Sequence, residues 1–214
     1  MPPCLGQAPF LSALATLLLL FTGLWLASLR LRNASIVDMW WGPAFVAALL
    51  ASLGWQAPAT PRGWLVLALV VAWAGRLAWH IGRRNIGHGE DPRYKAWRIE
   101  HGARWWWRSL FQVFLLQATV AWVVSWPLHL AAHAATPFPT LWDVIGAATF
   151  AVGLLVEAEA DRQLAAYKAR PGRPPVLDTG LWRFSRHPNY SGRPWRGGAW
   201  DCSPCRHPTA GWAW

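Results

Sequence analysis

An uncharged apolar stretch begins the chain. No Asp, Glu, Lys or Arg occurs before Arg30, and residues 9–29 reach the ~20 apolar residues that a helix needs to cross a bilayer. A cleavable signal peptide would carry positive residues ahead of its apolar run, and this stretch has none there. We therefore predict a first transmembrane helix that is retained.

Four further apolar stretches of similar length follow, separated by charged or Pro/Gly/Ala-rich segments. They cover residues 35–55, 63–81, 109–130 and 140–156. Only 14% of the chain is charged, whereas a soluble domain carries about 25%. This pattern predicts an all-α, polytopic transmembrane helix bundle with about five spans, and it argues against an ordinary soluble enzyme.

The positions of the basic residues predict how the bundle is oriented. If five helices alternate, one side holds Arg30, Arg32 and residues 82–108 and 158–190, with fifteen Lys and Arg, and the other side holds Arg62 alone. The positive-inside rule then places the basic side in the cytoplasm and the N-terminus outside. The Arg-rich, Trp-rich composition favours a bacterial cytoplasmic membrane. The net charge of +10 is thus assigned to membrane-proximal loops, and no nucleic-acid partner is expected.

Charged residues inside or beside the apolar stretches are candidate functional residues, because an ionised group at membrane depth is costly. Asp38 lies in V-D-M-W-W-G, and a functional role and an ion pair with an arginine such as Arg32 or Arg76 are equal alternatives. Asp143 lies near a helix start, where interaction with the helix dipole is the simpler interpretation.

The last predicted helix carries a second group of candidates, Glu157, Asp161 and Lys168. Spacings of four and eleven residues return to one face of a helix. That face is either a ligand-binding surface or a solvated amphipathic surface.

Two predicted cytoplasmic segments contain dense polar motifs, RRNIGHGEDPRY and DTGLWRFSRHPNY. Arginine provides fork-shaped donors for phosphate, and glycine allows backbone amides to approach it. Neither a G-x-G-x-x-G nor a P-loop motif occurs.

These two motifs, together with VDMWWG, WWWRSLFQVFLLQ and GLLVEAEADRQLAAYK, resemble the bacterial DUF1295 membrane proteins, which group with the steroid 5-alpha-reductases and sterol reductases. The resemblance covers roughly residues 30–191. It implies a membrane reductase of about seven spans that takes NADPH from the cytoplasm and transfers hydride to an activated C=C bond of a lipophilic substrate.

The resemblance also implies roles for individual residues. The cofactor-binding set would be Glu157, Asp161, Lys168, Arg186, His187, Asn189 and Tyr190. In the steroid reductases a tyrosine lies three residues before an arginine that aligns with Arg76, and here that place holds Trp73. Asp38 is then the remaining candidate for the catalytic acid that hydrogen-bonds the substrate carbonyl.

Two alternatives stay open. The isoprenylcysteine carboxyl methyltransferases share the R-H-P-x-Y pattern and use S-adenosylmethionine, and a non-catalytic membrane remnant is the other possibility. No metal site is expected, because His129 and His133 have no third ligand nearby and Cys202-x-x-Cys205 is half a zinc site. The expected partners are membrane lipid and a lipophilic small molecule, and the sequence gives no prediction of oligomeric state.

After Tyr190 the chain leaves the family pattern, which continues Phe-Gly-Glu and then a hydrophobic helix. Codons can be chosen for F-G-E-A-L-A-W-W-G-L that, after deletion of one base, encode residues 191–200 of this chain, S-G-R-P-W-R-G-G-A-W. We therefore predict that residues 1–190 form an incomplete reductase-like transmembrane domain, that residues 191–214 are an out-of-frame tail, and that this loss impairs activity.

Overall fold

The computed structural model describes residues 8–185 together with 187 and 188, and across these residues all regular structure is helical. The seven α-helices of this part are α1 (Ala8–Leu31), α2 (Ile36–Ser52), α3 (Pro61–Asn85), α4 (Pro92–His101), α5 (Trp105–Ser109), α6 (Leu116–His133) and α7 (Leu141–Lys168). A π-helix, Leu110–Leu115, joins α5 to α6, and 3₁₀ turns form at Gly102–Arg104 and Gly180–Arg183.

Among the described residues, four helical stretches are long and apolar enough to cross a membrane. They are Ala8–Leu31, Pro61–Asn85, Pro92–His133 and Leu141–Lys168, and α2 is a shorter apolar helix of 17 residues. The predicted class, an all-α bundle of an integral membrane protein, is confirmed, with α2 as the short fifth member. The last helix is longer than the predicted span because it continues beyond residue 156 through the charged face to Lys168.

The chain divides into two compact units, Met1–Val144 and Ile145–Trp214. In the first unit, α1 packs against α2 and α6, and α2 packs against α3. The apolar core includes the fully buried side chains of Leu17, Phe21, Leu49 and Phe114. In α2, Gly42 allows a close helix contact, because a Cβ atom there would lie 2.8 Å from the Ala74 Cα of α3.

Cap-and-proline pairs fix where α3 and α4 begin. The Thr60 side chain accepts a hydrogen bond from the backbone of Gly63, and the Asp91 side chain accepts one from the backbone of Arg93. In both helices proline occupies the first position, where a missing N–H costs nothing. Asp91 therefore fixes the start of the short helix that carries Tyr94.

In the second unit, the segment after α7 folds back along that helix. The Leu181 backbone N–H donates to Gln163 Oε1 at 2.9 Å, and Trp182 Nε1 donates to the Ala160 carbonyl at 3.1 Å. These two bonds hold the D-T-G-L-W motif beside the predicted cofactor face of α7.

Candidate functional site

Asp38 lies in the first turn of α2 and is the acceptor of a polar cluster. Tyr94 Oη donates to Asp38 Oδ1 at 2.7 Å, and Arg93 Nη2 lies 3.3 Å from Asp38 Oδ2. The Tyr94 side chain is buried, the Asp38 side chain keeps 17% of its exposure, and the Arg93 side chain keeps 52%. We call Asp38, Asp91, Arg93 and Tyr94 the Asp38 cluster.

Contacts around the turn between α1 and α2 hold Tyr94 in this position. Glu90 Oε1 accepts from the Ala34 backbone at 2.8 Å, and Ser35 Oγ accepts from the Asp91 backbone at 2.6 Å. Arg98 donates to both Glu90 oxygens, at 2.8 and 2.9 Å, the bidentate geometry that favours strong pairing. The G-E-D-P-R-Y part of the motif is therefore bound to the beginning of α2 rather than extended into solvent.

Arg93 connects the two carboxylates of the cluster. Its Nε lies 3.0 Å from Asp91 Oδ1 and its Nη2 lies 3.1 Å from Asp91 Oδ2. Partial burial acts to raise the pKa of Asp91, but the hydrogen bonds and the charge of Arg93 outweigh it and lower that pKa below its usual value. The Arg93 guanidinium group is thus shared by two acids that would otherwise repel each other, and the charge of Arg84 adds to its effect on both.

Tyr94 of the cluster also packs against other side chains of the first unit. Trp97 meets Tyr94 edge-on at a centroid distance of 5.8 Å, and the Gln117 side chain of α6 also contacts the Tyr94 hydroxyl. Trp73, at the position where the resemblance places a tyrosine, packs edge-on against Phe45 at 5.5 Å. Trp73 is thus an aromatic packing residue, and the phenol near Asp38 comes from Tyr94 instead.

The sequence reasoning selected Asp38 but missed Tyr94 and Arg93 as its partners. The ion-pair alternative for Asp38 is correct in kind, with Arg93 as an arginine that it did not consider. Both partners belong to the quoted motif, so the available signal was a phenol and a guanidinium directly after two acids. What the sequence lacks is the pairing itself, which joins residues 56 positions apart.

The predicted cofactor face is described only in part. Glu157 and Asp161 are both buried, which speaks against a solvated surface, and both make polar interactions. Lys168 is exposed at the end of α7, and Arg173 Nη1 donates to its carbonyl at 2.8 Å. His187 is exposed, and its backbone donates to Ser185 Oγ at 3.1 Å. Arg186, Asn189 and Tyr190 lie outside the described residues.

A second acid–arginine group, the Arg62 network, lies in the first unit where α3 and α7 begin. Arg62 Nε and Nη2 donate to the two oxygens of Asp143 at 2.7 and 2.8 Å, Nη2 also donates to the Pro137 carbonyl, and Nη1 donates to Thr136. Thr140 donates to Asp143 from both its backbone and its hydroxyl. This network joins the start of α3 to the segment before α7, in agreement with a structural interpretation of Asp143.

The two histidines of α6 take part in hydrogen bonds between helices. His129 is fully buried, with Nε2 at 2.9 Å from Ser125 Oγ and Nδ1 at 3.0 Å from Ser52 Oγ. His133 Nε2 lies 3.2 Å from the Ser52 carbonyl. Within the part of the chain that the structure describes, no group of three or more His, Cys, Asp or Glu side chains is arranged to hold a metal ion.

Comparison with known proteins gives one family. The family described as "Protein of unknown function (DUF1295)" matches residues 24–195, which include the Asp38 cluster, the Arg62 network and α7. No curated protein and no solved structure matches the chain. Because the match extends over most of its length, the chain belongs to the DUF1295 family.

Proposed function

We propose that this protein is a membrane-embedded, NADPH-dependent reductase of an activated C=C bond in a lipophilic enone, similar to the steroid 5-alpha-reductases. The observation that carries the proposal is the 2.7 Å hydrogen bond between Tyr94 Oη and Asp38 Oδ1 at the end of an apolar helix. Hydride addition to an enone needs a hydrogen-bond donor at the carbonyl, and this pair supplies one beside a membrane-spanning bundle.

The proposed roles of Asp38 and Arg93 follow from the negative charge that develops on the carbonyl oxygen during hydride addition. When hydride adds to the β-carbon, the C=C electrons move onto the carbonyl oxygen, and a donor placed there lowers the barrier. A protonated Asp38, still accepting from Tyr94 at Oδ1, would donate from Oδ2 to this oxygen. The half-exposed Arg93, which lies 3.3 Å from Oδ2, would move aside and balance the developing charge. The enolate then takes a proton at its α-carbon from water, which gives the saturated ketone.

The residues of the second unit fit the proposed cofactor chemically. Two buried carboxylates, Glu157 and Asp161, suit the hydroxyl groups of a ribose, and the exposed cations Lys168, Arg170 and Arg173 suit phosphates. The resemblance adds Arg186, His187, Asn189 and Tyr190 to this set. NADPH, when bound, would supply the hydride.

The methyltransferase alternative would use the same R-H-P-x-Y residues for S-adenosylmethionine. It assigns no chemical step to the Asp38–Tyr94 pair, whereas carbonyl activation uses both groups. The Asp38 cluster therefore favours the reductase.

The proposal is tested with purified protein in detergent. NADPH and S-adenosylmethionine binding are titrated, and NADPH oxidation is followed against a panel of lipophilic enones. We expect saturable NADPH binding and enone-dependent oxidation, with the higher rate in a chain whose reading frame after residue 190 is restored. D38A, which removes the carbonyl donor, should lower this oxidation by about 10²-fold. Y94F should lower it by a similar factor, because it removes the bond that positions Asp38. T119V is the control, since it removes a hydroxyl outside both proposed sites, one that donates to the Leu115 carbonyl.

The same assays are run on a chain in which the reading frame after residue 190 is restored. Enone reduction only by the restored chain would support both the reductase and the out-of-frame tail. S-adenosylmethionine binding without NADPH binding would instead support the methyltransferase, and binding of neither by the restored chain would contradict both enzymatic proposals.

A further inference from the structure

An open groove lies where α4 ends and α5 begins, outside the Asp38 cluster. It has a volume of about 430 Å³ and is lined by Ile99, Glu100, His101, Gly102, Arg104 and Arg108. Its described lining includes none of the proposed catalytic or cofactor-binding residues. We call it the Arg104–Arg108 groove.

Gly102 shapes this groove. Its φ of 50° and ψ of −127° lie in a region that only glycine enters readily. Helix α4 ends there, and the chain continues through the 3₁₀ turn Gly102–Arg104. Arg104 ends this turn and Arg108 follows it in α5, and both line the same groove as Ile99 and Glu100 from before the turn.

The charge of the groove is not neutralised from within. In the described part of the chain, neither Arg104 nor Arg108 forms an ion pair, and the Arg108 guanidinium lies over the Trp107 ring at 5.6 Å. Arg98, only a few residues earlier, is fully paired with Glu90. Glu100 is the one carboxylate among the described residues that line the groove, so two guanidinium groups face one acid there.

The surface beside the groove is apolar and exposed. Ile99 keeps 74% of its exposure and Trp106 keeps 57%, and tryptophan prefers the headgroup level of a bilayer. From α5 the chain passes directly into the apolar π-helix and α6. The groove thus lies at the entry of a membrane-spanning segment, with cations in it and apolar side chains next to it.

We propose that the Arg104–Arg108 groove binds the phosphate headgroup of an anionic glycerophospholipid. The two arginines supply donors and charge for the phosphate. The exposed isoleucine and tryptophans lie where the acyl chains of the same molecule would run. This apolar flank favours a lipid over a free phosphate, which would gain nothing from it.

The test uses the full chain in a neutral detergent and measures lipid retention by native mass spectrometry. Dioleoyl-phosphatidylglycerol is the probe, and dioleoyl-phosphatidylcholine is the neutral comparison. The variant is R104Q/R108Q. The control is R30Q/R83Q, which removes the same charge and includes an arginine, Arg83, that lies over the Trp79 ring at 5.6 Å outside the groove.

We expect one phosphatidylglycerol to bind more tightly than phosphatidylcholine, and R104Q/R108Q to weaken that binding by about tenfold or more, since a basic residue near a lipid surface contributes roughly fivefold. R30Q/R83Q should bind phosphatidylglycerol with an affinity within about twofold of the wild-type value. The proposal is overturned if both double variants lose the same affinity, if phosphatidylcholine binds equally well, or if millimolar inorganic phosphate displaces the lipid. NADPH is absent from every sample, so the outcome is independent of the reductase proposal.

Discussion

Two acid–arginine groups of the first unit use the same chemistry in different ways. In the Arg62 network, every guanidinium nitrogen donates, both Asp143 oxygens accept, and the side chains keep only 9% and 13% of their exposure. In the Asp38 cluster, Arg93 is 52% exposed and reaches Asp38 Oδ2 at only 3.3 Å.

The difference separates a structural ion pair from one that can react. A network with all donors and acceptors satisfied has no capacity for a new partner without breaking an existing bond. In the Asp38 cluster, the contact of Oδ2 within the described part of the chain is a long one from the exposed Arg93, so a substrate oxygen can compete for it. An ion pair alone therefore does not show whether its acid can bind a substrate. What decides this is whether an acceptor or donor of the pair is still available for a further hydrogen bond.

The largest expected effect comes from breaking the saturated network. R62A leaves Asp143 without its bidentate partner and removes the donors to Thr136 and Pro137. We expect the apparent melting temperature in detergent to fall by about 10 °C, because removing one partner of a buried pair is strongly destabilising. The measurement is a thermal melt followed by near-UV circular dichroism.

R162A is the control for that melt. Arg162 pairs with Glu159 one helical turn away at 2.7 Å, with side chains 73% and 39% exposed, and such surface pairs contribute little. We expect its melting temperature to stay within about 1 °C of the wild-type value. If R62A and R162A lower the melting temperature equally, the Arg62 network contributes no more to stability than a surface ion pair.

The same two groups show which features of the protein can be predicted from its sequence. The spans follow from runs of apolar residues, because the membrane requires each to be helical, and Asp38 and Asp143 were both visible as acids at the ends of such runs. Which arginine each acid meets depends on long-range packing. Asp143 pairs with a residue 81 positions earlier. Asp38 meets Tyr94 because Glu90 and Ser35 hydrogen-bond the two segments to each other. Neither pairing can be read from the local periodicity of the sequence.

A smaller effect is expected at the helix contact that supports both groups. Gly42 of α2 faces Ala74 of α3, and an added Cβ would meet backbone atoms at 2.8 and 2.9 Å. G42A should therefore separate the two helices and lower the melting temperature by about 5 °C. Gly75 is the matched position, since a Cβ there meets no atom within 4 Å, and G75A should leave stability unchanged or slightly higher. A neutral G42A would contradict the close contact.

Removing the phenol from the Asp38 cluster should reduce stability less and activity far more. In Y94F, Asp38 loses one hydrogen bond but keeps Arg93, and we expect a fall in melting temperature of about 3 °C. Enone-dependent NADPH oxidation should fall by about 10²-fold in the same sample, because Asp38 loses the bond that positions its carboxyl group. R62A should show the opposite: a large loss of stability, and a loss of activity only in proportion to the unfolded fraction. If Y94F lowers activity only as far as it lowers the folded fraction, Tyr94 is structural like Asp143.

The smallest effect concerns the pH dependence of Asp91, which both caps α4 and pairs with Arg93. Its pKa is lowered in the folded protein from an ordinary value of 3.8, so the unfolded chain takes up a proton first as pH falls. The stability that Asp91 contributes is complete above the ordinary pKa and is lost as pH falls through the pKa of the folded state.

Asparagine also caps helices well, so D91N removes the charge and keeps the cap. We expect wild type to melt about 1 °C above D91N at pH 7, and this difference to shrink as pH falls below the ordinary pKa of Asp91. In an R93Q background the difference at pH 7 should be smaller. A difference that is constant from pH 7 to pH 3 would mean that the Arg93 charge does not stabilise Asp91, and that this part of the cluster is a helix cap alone.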